Sequence, residues 1–296
     1  MRAAYPADRL PFVIDPDSIR SIVVGTDFSA PAATALGWAS AIARAHGASL
    51  LLVHAYTRQD AGLSAEETRA ALAGLAAVEM EHGLQVRVEM REGTPTQVVA
   101  SLAMESRADM LVIGSRGRNP ISRLLLGSVA DATLKQVSLP TLVVHPGDAQ
   151  RKPGCARLLV GMDFSPQADR ASAFARRLAA PKSEAVVSLL HASVISTPIV
   201  GVEMPAVPIV EPAESDAAAR EALAHRVKAL GGHGVRIEAL TCPGSPVEAM
   251  RDVAKEGHAD VMVVGTTAPA GAARMLLGSV AADLVHQSDR PVLVVR

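Results

Sequence analysis

The chain repeats itself, and this repeat limits the possible folds more than any other feature of the sequence. Two segments recur in the same order. The first reads IVVGTDFS around Asp27 and LLVGMDFS around Asp163, and the two aspartates lie 136 residues apart. The second begins with ADMLVIG at Ala108 and with ADVMVVG at Ala259, which lie 151 residues apart. We therefore expect two copies of one domain within the 296 residues, each of ordinary domain size.

The spacing between the copies grows along the chain, which indicates an insertion in the second one. It is 137 residues at His54 and His191, so 14 further residues enter the second copy before Ala259. We predict that they form an extended loop at about 195–214, because that stretch holds four prolines. The predicted organisation is a first domain at 1–146 with an N-terminal extension at 1–18, a linker at 147–156, and a second domain at 157–296.

Composition indicates a compact protein and argues against two classes of partner. The chain is 49% hydrophobic and 20% charged, with a formal net charge of −1, so it is expected to fold and has no electrostatic attraction for nucleic acid. At 2% aromatic residues it also lacks a platform for stacking bases. No stretch reaches the ~18 apolar residues of a membrane span, and the N-terminus lacks a signal-peptide core. We expect a cytoplasmic protein with no membrane and no nucleic-acid partner.

Short apolar runs alternate with helical patterns in each copy, which is typical of a parallel α/β sheet. In the first copy a strand at 21–26 precedes a helix that Ser29 caps, that carries Pro31 in its first turn, and that ends at Gly47. The order βαβαβαβαβ predicts a doubly wound, five-stranded parallel sheet in each copy.

Two further helix starts carry capping signals. Ser64 and Glu67 predict a capping box at the start of a helix that runs to about His82. Thr94 and Ser245 occupy equivalent positions, and each is followed at once by a proline and three residues later by Gln or Glu. We therefore predict the same reciprocal cap in both copies.

A glycine-rich loop follows the fourth predicted strand of the first copy. It reads GSRG from Gly114, then nine residues, then GS from Gly127. Glycines let backbone N–H groups approach phosphate oxygens, and the start of a helix supplies further N–H groups that favour an anion. Arg116 and Arg118 add positive charge that suits phosphate. Open α/β sheets bind ligands at this place, beyond the carboxyl end of a strand, so the loop predicts an anion site.

The spacing G-x2-G-x9-G-(S/T), after a GTDFS-type first strand and before an SVA-type helix start, resembles the ATP-binding signature of universal stress proteins. The resemblance covers nearly the whole chain, twice. It implies two Rossmann-like, adenine-nucleotide-binding domains and ATP as the ligand, with Mg left open. It further implies that Asp27 approaches the ribose and that the backbone of Ala55 meets the adenine edge. The other residues implied for the first site are Thr26, Ile113, Gly114, Arg116, Gly117, Gly127, Ser128, Val129 and Ala130.

The residues by themselves leave other interpretations open. Asp27 fits a helix cap or a turn, and the glycines fit tight turns that need a positive φ. His54 and His191 end the second strand of each copy, but no partnered nucleophile is visible, which favours a structural hydrogen bond. Cys155 and Cys242 show neither a disulfide framework nor a zinc spacing, so we predict no metal site.

The second copy departs from the glycine pattern. Ala268 replaces the second glycine, Thr267 and Pro269 replace the two arginines, and Gly271 is out of register. A methyl group there obstructs the backbone approach and the positive charge is lost, so we predict weaker or altered nucleotide binding. The positions of the second site that remain in register are Asp163, Ala192, Gly265, Gly278, Ser279 and Val280.

The predicted last strands, TLVVH from Thr141 and VLVVR from Val292, are apolar edges that need covering. In the resembled family these strands pair across a dimer, so we predict that the two copies form a pseudo-dimer. The resemblance also implies a homodimer of the whole chain and leaves its protein partners open.

The leading hypothesis is a nucleotide-binding regulator of a stress response that is not an enzyme. The chain has no P-loop and no HExxH motif, and Asp27 is a lone carboxylate where an efficient ATPase needs a positioned base and a metal cluster. One alternative is a scaffold that binds proteins and keeps vestigial nucleotide sites. Another is a slow ATPase or autophosphorylating enzyme.

Overall fold

The computed structural model describes residues 18–57, 64–117, 126–179, 184–193, 212–232, 234–266 and 277–296. The predicted N-terminal extension, apart from Ser18, and the predicted insertion, apart from its last three residues, lie outside this part. Those three residues belong to a helix that begins at Pro212, so the predicted extended loop reaches too far at its end. Proline is tolerated in the first turn of a helix, and here it marks a helix start.

The described part of the first copy contains five strands and four helices in the predicted order. They are β1 (Ser21–Gly25), α1 (Ala30–His46), β2 (Ser49–Tyr56), α2 (Ala65–Glu81), β3 (Gln85–Glu92), α3 (Pro95–Glu105), β4 (Met110–Gly114), α4 (Ser128–Leu134) and β5 (Thr141–Val144).

The described part of the second copy repeats this order after a short 3-10 turn at Pro146–Gln150. Its elements are β6 (Arg157–Gly161), α5 (Pro166–Leu178), β7 (Val186–Ser193), α6 (Pro212–Leu230), β8 (Arg236–Pro243), α7 (Pro246–Glu256), β9 (Val261–Gly265), α8 (Ser279–Gln287) and β10 (Val292–Val295).

The helix boundaries follow the capping signals, with one error. Ser29 accepts a hydrogen bond from the Ala32 N–H at 3.4 Å, and Gly47 ends α1 at a φ of 67°. The capping box at the start of α2 is also present. The predicted reciprocal caps of α3 and α7 are wrong, because neither N-cap side chain bonds the backbone. Thr94 Oγ1 instead donates to the Gln97 side chain at 2.8 Å.

All ten strands form one sheet in the order β3-β2-β1-β4-β5-β10-β9-β6-β7-β8. Each half is parallel and doubly wound, and its order reverses between β1 and β4 or between β6 and β9. The halves meet where β5 pairs antiparallel with β10, with Leu142 opposite Leu293. This pairing confirms the predicted pseudo-dimer.

The sheet separates two apolar layers. Helices α1, α2, α5 and α6 cover one face, and α3, α4, α7 and α8 cover the other. Both central strands are fully buried. None of the helices in the described part of the chain combines the length and the apolar character that a membrane span requires.

An ion pair joins the copies at the amino ends of the strands. Asp109 accepts hydrogen bonds from the backbone N–H groups of Arg20 and Ser21, and it pairs with Arg177 of the second copy. Its equivalent, Asp260, likewise accepts two backbone hydrogen bonds. Burial acts to raise the pKa of both carboxyls. At Asp109 the Arg177 guanidinium and the two N–H groups outweigh burial, so the pKa of Asp109 falls below its usual value. The pKa of Asp260 stays above its usual value.

Replacing Arg177 by Met should make the protein more sensitive to acid. The folded pKa of Asp109 is lowered, so its stabilising effect is complete above the unfolded pKa of about 3.9 and is lost as the pH falls through the folded value. Arg177→Met raises the folded pKa, so this loss begins at a higher pH. The free energy of unfolding in urea, measured between pH 2 and 7, checks this. The control substitution Lys152→Met, in the exposed linker, should leave unchanged the pH at which half of the stability is lost. If that pH were also unchanged in Arg177→Met, the stabilising role of the pair between Arg177 and Asp109 would be contradicted.

Candidate functional site

A cavity of about 670 Å³ opens at the carboxyl ends of β1, β2 and β4 in the first copy. Its volume lies within the usual range for small-molecule sites, and it sits where the strand order reverses. The structure brings together all eleven residues that the sequence indicated for the first site. In its lining are Thr26, Asp27, Ala55, Ile113, Gly114, Arg116, Gly117, Gly127, Ser128, Val129 and Ala130.

The lining also contains residues that the sequence analysis did not assign to the site. Most of them follow a strand or lie in the first turns of a helix at the same edge of the sheet. That placement is a signal that the predicted topology already contained. These residues are Gly25, Phe28, Ala32, His54, Tyr56, Thr57, Ser64, Ala65, Thr68, Pro95, Val99 and Thr133.

Asp27 is fixed by a turn directly after β1. Its Oδ1 accepts hydrogen bonds from the Ser29 N–H at 3.0 Å and from the Ser29 hydroxyl at 2.5 Å. Asp163 and Ser165 repeat both bonds at 3.0 and 2.5 Å. The interpretation of this aspartate as a turn residue is therefore correct. The other oxygen, Oδ2, lies at the loop, because a Cβ on Gly117 would be 2.7 Å from it.

The loop glycines allow atoms of other residues to lie close to the loop backbone. The alternative, that they are needed for a positive φ, is wrong. Gly114, Gly117 and Gly127 are absent from the residues with a left-handed backbone in the described part of the chain. A Cβ on Gly117 would lie 2.7 Å from Asp27 Oδ2, and one on Gly114 would lie 3.1 Å from the backbone oxygen of Pro31. Gly117 thus leaves room for the Asp27 carboxylate, and Gly114 lets α1 pack against the end of β4.

A ring pair supports the floor of the cavity. His54 Nδ1 donates to the carbonyl of Thr26 at 2.8 Å, and its ring lies 4.8 Å from that of Phe28. Phe28 has a φ of 63°, which is uncommon for a residue other than glycine and persists only where the surroundings hold it. The second copy repeats this at His191 and Phe164, with ring centroids 4.6 Å apart. The predicted structural hydrogen bond of both histidines is confirmed.

Three buried threonines belong to the lining of the first cavity. Thr26, Thr68 and Thr133 are 9%, 5% and 0% exposed and contribute hydroxyls to the lining residues. Thr133 Oγ1 has no hydrogen-bond partner among the described residues, and an unmatched buried hydroxyl costs about 1–3 kcal/mol. The equivalent residues of the second copy are Met162, Ala219 and Leu284, all apolar. Sequence reasoning missed this contrast because none of the three lies in the glycine motif.

The predicted residues of the second site lie in the equivalent places. They follow β6, end β7 and β9, or begin α8, and they are Asp163, Ala192, Gly265, Gly278, Ser279 and Val280. Gly278 differs from Gly127 in its contact, since its N–H donates to the Thr266 hydroxyl at 3.1 Å and not to a backbone oxygen. The loop substitutions at Thr267, Ala268, Pro269 and Gly271 lie outside the described residues, as does Arg118, so the comparison of the two loops stays a prediction.

Other reactive groups are sparse in the part of the chain that the structure describes. There, no cluster of three or more His, Cys, Asp or Glu side chains could hold a metal ion. Both cysteines are free thiols. Cys155 is buried, and burial raises the pKa of its thiol, so it stays protonated at neutral pH.

Comparison with known proteins identifies one family. The family model for universal stress proteins matches residues 18–145 and 155–296. A universal stress protein of Mycolicibacterium smegmatis is 28% identical over 93% of this chain and 96% of its own. One from Mycobacterium tuberculosis is 31% identical over 74% of this chain and 72% of its own. A solved universal stress protein from Archaeoglobus fulgidus matches with a TM-score of 0.72 at 20% identity, over 93% of this chain and 98% of that one, which shows the fold alone.

Gly117→Ala should destabilise the protein through Asp27 alone. The added methyl group must displace a carboxylate that it would otherwise approach to 2.7 Å, which disturbs the turn to Ser29. We expect a loss of about 1 kcal/mol, the size of one hydrogen bond, and no loss in an Asp27→Ala background. Urea unfolding of the four proteins measures this coupling.

Gly154→Ala is the matched control for this cycle, since a Cβ there meets nothing within 4 Å. An equal loss from Gly117→Ala with and without Asp27 would show that the methyl group clashes elsewhere.

Proposed function

Because the chain belongs to the universal stress protein family, we propose that its first copy binds ATP and that this binding regulates a cellular stress response. The observation that carries the proposal is the cavity in which the loop glycines, Asp27 and Arg116 converge at the reversal of strand order. Its volume, about 670 Å³, suits a ligand of nucleotide size.

The lining offers chemically distinct ends for such a ligand. Toward β2 and α2, Ala55 and Thr68 offer backbone and hydroxyl groups for a base, and Asp27 offers a carboxylate oxygen for ribose hydroxyls. Toward β4 and α4, Arg116 and the backbone of 127–130 offer positive charge and N–H groups for phosphates. Each hydrogen bond that involves a charged group contributes about 1.5–3 kcal/mol, so each one is worth about tenfold or more in affinity.

Two features of the lining support the fit of a polar ligand. The place of a Cβ on Gly117 is taken by the Asp27 carboxylate, which keeps that oxygen at the loop. The hydroxyl of Thr133 is buried without a partner among the described residues, and a bound polar group or water would satisfy it. Both features point to a ligand with hydrogen-bonding groups.

We propose binding without efficient turnover. Phosphoryl transfer needs a group that positions the nucleophile and usually one or two carboxylates for Mg²⁺. Asp27 is the one carboxylate among the described lining residues, and its Oδ1 is engaged with Ser29. A slow hydrolysis is left as an outcome of the test below. We further propose that the second copy binds nucleotide more weakly, because Met162 and Leu284 offer no hydroxyl where Thr26 and Thr133 do.

The two equivalent aspartates provide a matched test. Asp27→Ala and Asp163→Ala remove the same turn, with the same two bonds at 3.0 and 2.5 Å, so their structural effects are alike. We expect Asp27→Ala to weaken ATP binding about tenfold or more and Asp163→Ala to leave the tight site unchanged. Calorimetry of the full chain with ATP, ADP, AMP and cyclic AMP, with phosphate release assayed in parallel, makes the measurement.

Two outcomes of this calorimetry would contradict the proposal. An unmodified chain that binds none of the four nucleotides would refute nucleotide binding. Equal weakening by both substitutions would refute the assignment of the tight site to the first copy.

A further inference from the structure

Helix α4 lies between the cavity and the second copy. Residues 128–130 of this helix line the cavity. The backbone at each end of α4 is contacted by a side chain of the second copy. Leu126 N–H, just before the helix, donates to His286 Nδ1 at 3.4 Å, and the Arg296 guanidinium donates to the carbonyl of Leu134 at the other end.

The contact at the start of α4 concerns the backbone that leads into the cavity. Leu126 directly precedes Gly127, whose N–H donates to the carbonyl of Ser115 at 2.7 Å. The first N–H groups at a helix start have no partner within the helix, so outside groups decide how this backbone lies. One of the two acceptors here belongs to the first copy, and the other, His286, lies 160 residues away in the second.

The contacts at the far ends of the last helices are reciprocal. Arg296 follows β10 and donates to Leu134 O in α4, and His145 follows β5 and donates through Nε2 to Val285 O in α8, at 2.9 Å. These residues are equivalent under the 151-residue spacing. Each copy thus binds the carboxyl end of the other copy's last helix, α4 or α8, through an equivalent residue.

The contact at the helix start cannot be reciprocal. The residue of the first copy that is equivalent to His286 is Lys135. A charged ammonium group has no lone pair and cannot accept a hydrogen bond from a backbone N–H. Lys135 donates to Asp131 at 2.7 Å, within its own helix. The second copy therefore supplies a side-chain acceptor, His286, to the start of α4, whereas Lys135 of the first copy cannot supply one to the start of α8.

We propose that His286 is a positioning residue for the cavity of the first copy. As a hydrogen-bond acceptor, its Nδ1 holds the backbone at Leu126, and thereby the start of α4, in the arrangement that receives the ligand. The second copy then supports the site of the first, which gives a role to a copy whose own lining has apolar residues in place of the threonines. The effect on affinity rests on the proposed nucleotide binding; the effect on the Leu126 backbone does not.

The test compares two substitutions of His286 in the full chain. His286→Leu removes the acceptor and keeps an apolar side chain of similar size, whereas His286→Asn keeps an acceptor oxygen at the position of Nδ1. Because 3.4 Å is long for a hydrogen bond, we expect a modest loss. His286→Leu should weaken ATP binding about two- to fivefold, and His286→Asn should restore the unmodified affinity. Arg177→Met, which breaks the contact between the copies at the amino ends of the strands, should leave ATP affinity unchanged.

A second readout needs no nucleotide. Hydrogen exchange of the Leu126 amide, followed by NMR in the free protein, should speed up about two- to fivefold in His286→Leu and return to the unmodified rate in His286→Asn. Faster exchange in a chain that binds no nucleotide would refute the proposed function and keep the positioning role. Unchanged exchange in His286→Leu, no rescue by Asn, or an equal loss of ATP affinity in Arg177→Met would each overturn the role of His286.

Discussion

The antiparallel pairing of β5 with β10 is the interaction on which the rest of the structure depends. Both strands are four residues long and fully buried, with Leu142 facing Leu293 across the seam. Burying a leucine or valine side chain stabilises a protein by about 1.5–3 kcal/mol, so an isolated copy would expose an apolar edge of considerable cost. The pairing removes that edge and makes one ten-stranded sheet out of two five-stranded ones.

The seam also determines what surrounds the cavity of the first copy. The reversal of strand order lies between β1 and β4, so β5 is the one strand between β4 and the other copy. The last helix of each copy packs beside this central region, and its carboxyl end is bound by a residue of the other copy. Helix α4 is therefore in contact with the second copy at both of its ends, before it at Leu126 and in its last turn at Leu134.

The two copies share a frame and differ in their linings. The Asp–Ser turn, the positive φ of the phenylalanine and the histidine bond to the strand end recur with nearly identical distances in both. These features shape the backbone in the same way in both copies. The hydroxyls of Thr26, Thr68 and Thr133 do not recur, so the two copies share the frame but differ in polarity at these three positions.

Local patterns predicted the repeat, the sheet and the glycine loop, whereas the resemblance to universal stress proteins implied the pairing at the seam and the other residues of the first site. Sequence patterns failed where side chains choose between partners. Thr94 has the spacing of a capping box, yet its hydroxyl bonds the Gln97 side chain and not the backbone. The reason for Gly117 was also hidden, since the group that occupies its Cβ position comes from Asp27, 90 residues earlier. His286 shows the same limit, because no local pattern indicates a contact across the seam.

A crystal structure of the full chain with a non-hydrolysable ATP analogue tests the proposed site most directly. We expect one analogue for each chain, in the cavity of the first copy, with its ribose at Asp27 and its phosphates at the loop between Gly114 and Ala130. An analogue bound in the second copy at equal occupancy, or bound only outside this cavity, would contradict it.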